Sequence, residues 1–169
     1  MPPHITLRPI QPTDFAAWKP LWEGYNAFYG REGATALPDE ITQATWQRFF
    51  DSSEPVHAFI ATTQNAPSKE AEGSASGSES ERLVGLVHYL FHRSTTRLND
   101  VCYLQDLFVA PQHRGQRIAA DLIQAVYAAA ADQNSSRVYW TTQTTNTSGR
   151  ALYDKLAKHA GFIVYSHEL

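Results

Sequence analysis

The run Val101-Cys102-Tyr103-Leu104-Gln105-Asp106-Leu107-Phe108-Val109, together with the residues just after it, restricts the possible folds more than any other part of this chain. It is too apolar and too rich in β-formers for a solvent-facing edge, so it reads as a central strand. Pro111 and Gly115 then turn the chain, and from Gly115 to about Ala131 the residues Ile118, Leu122, Val126 and Ala129 recur at helical spacing. Val138 to Thr142 reads as the next strand. A strand that reaches another strand through a helix favours a parallel pairing by a right-handed crossover.

Upstream the pattern changes. Val56 to Thr63 and Leu83 to Phe91 both read as strands, and they flank Asn65 to Arg82, a stretch of five serines, four glutamates and two glycines whose only apolar type is alanine. Such a stretch cannot repay its own ordering, so the expectation is an antiparallel hairpin closed by a flexible loop over 65–82, inside one domain spanning 1–169. The loop carries −2 of the formal charge of −3 and reads as a tolerated surface insertion, with a docking role as the alternative. His4 to Arg8 alternates as a short strand. Pro12-Thr13-Asp14 offers an N-cap to a helix carrying Phe15, Trp18, Leu21, Trp22 and Tyr25 on one face, and Pro38-Asp39-Glu40 opens a second helix with Ile41, Thr45, Trp46, Phe49 and Phe50. Thr147 to Ala160 reads as the last helix, closed by a left-handed Gly161 before a strand over Phe162 to Tyr165. The whole predicts an α/β (α+β) fold: a central mixed, mostly antiparallel sheet with helices on both faces.

A chain of 169 residues that is 43% hydrophobic can bury one sizeable core. Its 14 basic residues against 17 acidic ones disfavour a nucleic-acid footprint or a cationic membrane patch. No apolar run approaches the roughly 20 residues of a membrane span, and Met1-Pro2-Pro3-His4 is not a leader, so a soluble, unprocessed protein is expected. A lone Cys102 excludes an intramolecular disulfide and fits a reducing compartment, read as the cytoplasm with the nucleus left open. His57, His88, His92, His113 and His159 show no metal-ligand spacing, so no metal is expected.

The chemistry is carried by Leu107 to Ala120. Where a strand ends at Val109 and a helix starts on small residues, free N–H groups converge at the positive end of the helix dipole and make an anion cradle. Gly115 admits a phosphate to the backbone and Arg114, Arg117 and His113 add charge, so a diphosphate is the natural guest. Many α/β loops share this shape without a ligand. Gly-x-x-x-x-Gly-Lys-Ser/Thr is absent, as is Gly-x-Gly-x-x-Gly after the first strand, so ATP hydrolysis and dinucleotide binding lose support.

Gln112-His113-Arg114-Gly115-Gln116 resembles the Gln/Arg-x-x-Gly-x-Gly/Ala motif of the GNAT superfamily of acetyl-CoA-dependent N-acetyltransferases, departing at its last place, Arg117. Asn146-Thr147-Ser148-Gly149-Arg150-Ala151-Leu152-Tyr153, then Gly161-Phe162, resembles the family's Asn-x-x-Ala-x-x-Leu-Tyr helix and Gly-Phe. The resemblance covers Leu83 to Tyr165. The pattern Trp22, Tyr25, Phe28, Tyr29, with Val138-Tyr139-Trp140 and Leu152-Tyr153-Asp154-Lys155, is similar to small fungal members that acetylate histones, polyamines or D-amino acids.

The resemblance implies acetyl transfer from acetyl-CoA to a primary amine by direct attack in a ternary complex, with a splayed parallel strand pair admitting CoA. A small amino acid or polyamine is the first acceptor expected and a protein lysine the second. Implied CoA contacts are Leu107, Phe108 and Val109 along the pantetheine, where the N–H of Phe108 or Val109 would polarise the carbonyl. Gln112, Arg114, Gly115, Gln116, Arg117, Ile118 and Ala119 would surround the diphosphate, with Asn146 and Tyr153 reaching in from the last helix. Tyr153 is the implied general acid, a phenol protonated at neutral pH that donates to the departing thiolate; packing its ring on the sheet is the structural alternative.

The base stays open. Gln105 stands where the family often has a glutamate, and Asp106 faces the other side by alternation unless a bulge rotates it. Glu23 or Tyr25 through water, or no dedicated base, are the remaining options. Trp22, Tyr25 and Tyr29, with Gln105, are the candidate acceptor contacts, and plain core packing is the alternative for the three aromatics. Cys102 reads as an inert buried thiol. The family's further strand after Gly-Phe has no counterpart before Leu169, which implies a homodimer or higher homo-oligomer covering that edge by pairing or exchange. A CoA-binding sensor or interaction module without turnover is the rival class, motivated by Gln105 and Arg117.

Overall fold

The computed structural model describes residues 4–64 and 81–169. Alternating residues in β2 (Val56–Gln64) and β3 (Glu81–His92) form the expected antiparallel hairpin, and β1 (Ile5–Pro9) pairs antiparallel on its outer side. The expected loop over 65–82 loses its last two residues to β3, because Glu81 and Arg82 pair with Gln64 and Thr63; the rest of it lies outside the described residues. On the other side, β4 (Val101–Val109) pairs antiparallel with β3 and parallel with β5 (Val138–Tyr139), giving one sheet in the order β1-β2-β3-β4-β5. The central strand is thus flanked on both sides. β5 is shorter than the expected 138–142: only Cys102↔Val138 and Tyr103↔Tyr139 pair before the two strands part. Beyond that point the Tyr103 hydroxyl and Thr141 Oγ1, 3.1 Å apart, replace the backbone ladder.

Apolar stripes place the helices. The helix α1 (Phe15–Phe28) sets Trp18, Leu21, Trp22 and Tyr25 on one sheet face against Ala58, Ile60, Leu83 and Leu86, with α2 (Asp39–Arg48) adding Trp46. The helix α3 (Ile118–Asp132) buries Ile118, Leu122, Ile123, Val126 and Ala130 on the opposite face against Val84, Val87, Cys102 and Leu104. It starts three residues later than the sequence suggests, because Gly115 and Arg117 both have left-handed backbone. Asp14 does not cap α1 through its side chain. It accepts instead from the Gln11 N–H at 2.7 Å and pairs with Arg8 at 2.8 Å, while Arg8 also holds Glu81 at 2.9 Å, so one guanidinium ties β1, the turn before α1 and β3.

The C-terminal part departs from expectation. The helix α4 (Thr147–Leu156) ends well before Ala160, since Leu152, Tyr153 and Leu156 are its last residues packed on the α3 side and Lys158-His159 beyond them have nothing to bury. Gly161 has φ +78 but stands beyond the helix and does not close it. Phe162 to Tyr165 form no strand: they are 82%, 74%, 72% and 88% exposed and join no ladder.

Candidate active site

A register shift decides which carboxylate faces α1. In the β3–β4 ladder His88 pairs with Asp106 and Tyr89 with Leu104, so Gln105 is an extra residue outside the pairing, a β-bulge. Cys102 and Leu104 face α3; strict alternation would send Asp106 there too and Gln105 toward α1. The bulge exchanges them. Gln105 is exposed and Asp106 is buried on the α1 side.

Buried carboxylates need partners, and Asp106 has them. Its Oδ2 lies 2.9 Å from His88 Nδ1, and His88 Nε2 accepts from the Trp18 indole N–H at 3.0 Å. An indole can only donate, so His88 Nε2 carries no proton and the ring is the Nδ1–H tautomer that donates to Asp106. Trp18, His88 and Asp106 are 0%, 2% and 7% exposed, and Trp18 stacks on Trp22, which stacks on Tyr25. Trp22 is therefore core: its N–H is donated to Thr42 at 3.3 Å.

Tyr25 and Tyr29 lie between this core and the place where β5 leaves β4. Burial, then the facing Asp106 carboxylate through its charge and a hydrogen bond, raise the Tyr25 phenol well above its ordinary pKa. Burial also raises Tyr29, whose hydroxyl bonds Thr142 just past β5. Tyr153 on α4 is raised by burial first and by the nearby Tyr29 second. Its ring meets Trp140 edge-on at 5.4 Å, the packing contact that the sequence left as the structural alternative. The structure thus gathers Tyr25, Tyr29, Tyr153 and Asp106 around the opening between the parallel strands. It leaves Gln105 and Trp22 out of that group.

The turn after β4 has the features a diphosphate requires. No N–H from Gly115 to Ala120 meets a main-chain acceptor among the described residues, and α3 directs the positive end of its dipole there. A Cβ at Gly115 would meet nothing within 4 Å, and its φ of +78 is the backbone state that glycine takes freely. Arg117, which replaces the motif's small residue, takes the same left-handed state with φ +64 and is exposed. The backbone shape the motif demands is therefore kept, at a cost of about 1 kcal/mol. Arg114 behaves differently from expectation: its Nε donates to Val109 O at 3.1 Å and its guanidinium lies 5.7 Å from the Phe108 ring. Together with Gln112 it lines a cavity of about 780 Å³ against α1, walled by Leu21, Gly24 and Phe28, a space apart from the tyrosine group. Asn146 caps α4 by accepting from the Gly149 N–H at 3.1 Å and donates to Thr142 at 3.0 Å, so its amide holds the Tyr153 helix beside the strand opening. Cys102 is buried, and burial pushes its thiol up to about 12. No cluster of metal-ligating side chains occurs among the described residues.

A strand pair that parts above a donor-lined turn is the arrangement the sequence resemblance implied. A family model described as the acetyltransferase (GNAT) family matches residues 38–157. The chain belongs to that family. This acetyltransferase is 29% identical over 162 residues, 96% of its own length and 89% of the relative's, to the D-amino-acid N-acetyltransferase HPA3 of Saccharomyces cerevisiae. Its fold matches the aminoglycoside N-acetyltransferase AAC(6')-Iy solved with CoA, at a TM-score of 0.75 and 16% identity over 99% of this chain and 97% of that one. It also matches the ribosomal-protein-alanine N-acetyltransferase of Brucella melitensis biovar Abortus 2308, at a TM-score of 0.68 and 18% identity over 98% of this chain and 100% of that one. The acetyltransferase is accordingly acetyl-CoA-dependent, and the rival expectation of a module without turnover finds no support. No described helix is long and apolar enough to cross a membrane.

Sequence reasoning missed Trp18, His88 and Thr142. Trp18 and His88 lie 70 positions apart, and no local spacing links them. The conditional reading of Asp106, which needed a bulge, and the option of Tyr25 as a base pointed toward this part of the site.

Proposed function

We propose that this acetyltransferase moves acetyl to the primary amine of a small molecule, an amino acid ahead of a polyamine, by direct attack in a ternary complex. The observation that carries the reading is the convergence of Tyr25, Tyr29, Tyr153 and Asp106 where β5 departs from β4. Acetyl-CoA supplies the acetyl group activated as a thioester. Leu107 and Val109, whose backbone groups face away from β3, present them to its arm, while Phe108 is paired with Leu86 of β3; the N–H groups from Gly115 to Ala119, with Gln112 and Arg117 beside them, receive its diphosphate. Asn146 acts by fixing the start of α4. Tyr153 gives its proton to the departing sulfur. The attacking amine passes one proton to the Tyr25 oxygen as the Tyr25 hydroxyl proton moves to Asp106, so Asp106 serves as the base that Gln105 cannot be. The relative whose name specifies D-amino acids supports the small-molecule acceptor.

The test is thiol release from acetyl-CoA with a panel of D- and L-amino acids, polyamines and lysine peptides. Amino acids are expected to give the highest kcat/KM. Release with lysine peptides alone overturns the acceptor proposed.

Residues 1–169 act as one catalytic domain in this reading, and the buried, lone Cys102 fits a reducing compartment such as the cytoplasm. The assembly is a homodimer or higher homo-oligomer. Phe162, Ile163, Val164 and Tyr165 are β-prone, consecutive and exposed, the kind of unpaired segment that a second copy covers by strand pairing or exchange. Replacing Ile163 and Val164 with aspartate is expected to shift the mass in sedimentation from oligomer toward monomer; a wild-type protein that already sediments as a monomer removes the proposal.

A further inference from the structure

The end of α1 presents an arginine to the acceptor side of the tyrosine group. Gly30, with φ +77, closes the helix: its N–H reaches Ala27 O at 2.9 Å and the next N–H, that of Arg31, reaches Asn26 O at 2.9 Å. Asn26 is 4% exposed and uses both ends of its amide. Its Nδ2 donates to Trp22 O at 2.8 Å, and its Oδ1 accepts from Arg31 Nε at 2.7 Å. Arg31 is thereby held by backbone and side chain alike, which is unusual economy for a long, rotamer-rich residue in a connecting segment.

The guanidinium lies 5.9 Å from the Tyr25 ring centre and 5.5 Å from that of Tyr29. Among the described residues it has no carboxylate partner. With Nε–H committed to Asn26, the paired Nη groups remain, and they match a carboxylate end-on through two parallel hydrogen bonds. Tyr25 and Tyr29 thus have a fixed cation on one side and Asp106 on another; the two charges act on both phenols in opposite senses. A group with a positive and a negative end suits that polarity.

We propose that Arg31 is a specificity-determining residue that binds the carboxylate of an amino-acid acceptor while its amine enters between Tyr29 and Tyr153. The assignment rests on the acceptor placement given under Proposed function. It predicts discrimination between acids and amines that lack the acid, which a purely structural arginine stacked on two rings does not.

The test uses D- and L-alanine, leucine and phenylalanine, each beside its carboxamide and its decarboxylated amine, with acetyl-CoA and full-length protein. The carboxamide's ammonium is the more acidic, so near neutral pH a larger share of its amine is unprotonated, and a lower KM for the acid cannot come from a greater supply of free amine. Wild type should favour the acids. Arg31→Gln should raise KM for the acids roughly 10- to 100-fold and leave KM for amides and amines near wild type, while any change in kcat from the lost charge beside Tyr25 should be common to all three. Arg31→Lys, which keeps the charge and loses the fork, should fall between them. Heat of CoA binding checks that the variants are folded; if Arg31→Gln does not bind CoA, the same ratio in Arg31→Lys decides. An equal rise for all three acceptor types, or no acid preference in wild type, overturns the Arg31 assignment and leaves the transfer reading standing. Failure of every amine to release CoA overturns the acceptor reading and the assignment with it.

Discussion

Tyr153→Phe is expected to lower kcat by roughly 10²- to 10⁴-fold, the range that loss of a positioned general acid produces, without changing the heat of CoA binding. Phenylalanine keeps the edge-on contact with Trp140 and the packing on the α3 side, so the melting temperature should hardly move. A drop in turnover at constant stability therefore isolates the hydroxyl from the ring. The pH profile supplies a second readout. Burial and then Tyr29 hold the Tyr153 phenol above its ordinary 10.0, and a raised pKa keeps the acid protonated to higher pH. The alkaline limb of kcat that belongs to this group must lie above pH 10, while the rise on the acid side tracks loss of a proton by the amine. Unchanged kcat in Tyr153→Phe removes this residue from proton transfer.

The elements that organise the fold were legible in the chain because each has a local cause. The run Val101–Val109 matches β4 residue for residue, and the hairpin flanks are strands, since alternation and apolar content there agree with burial. The turn at Gly115 could be found because a left-handed glycine before a helix is a local signal. The ends were harder: α4 and β5 are both shorter than their patterns, because what stops them is the parting of β5 from β4 and the lack of a surface beyond Leu156, neither of which a window of sequence contains. The catalytic end was the least legible. Whether Gln105 or Asp106 faces α1 depends on one bulge, and the bulge is set by pairing with His88 across the sheet. Arg31 illustrates the same limit, since its position depends on an asparagine whose own position is fixed by the Trp22 carbonyl.

His88→Leu and Asp106→Asn separate what holds the site from what reacts in it. Leucine at 88 strands the buried Trp18 indole N–H and takes the imidazole donor away from the buried Asp106 carboxylate, which keeps the Tyr25 hydroxyl. Removing one partner of a buried charge in this way, with a buried indole N–H left unpaired as well, should cost about 3–5 kcal/mol of stability, measured as a fall in the denaturant midpoint at constant slope. Asparagine at 106 is nearly isosteric, and its Oδ1 still accepts from His88 Nδ1–H, so the loss should be near 1 kcal/mol. What asparagine cannot do is take up the proton that leaves the amine. Turnover per folded molecule should fall by roughly 10²- to 10⁴-fold in Asp106→Asn, and Tyr25→Phe, which interrupts the path to that carboxylate, should fall with it. If instead Asp106→Asn is as unstable as His88→Leu while its folded fraction turns over at the wild-type rate, Asp106 serves the core alone and the amine loses its proton elsewhere.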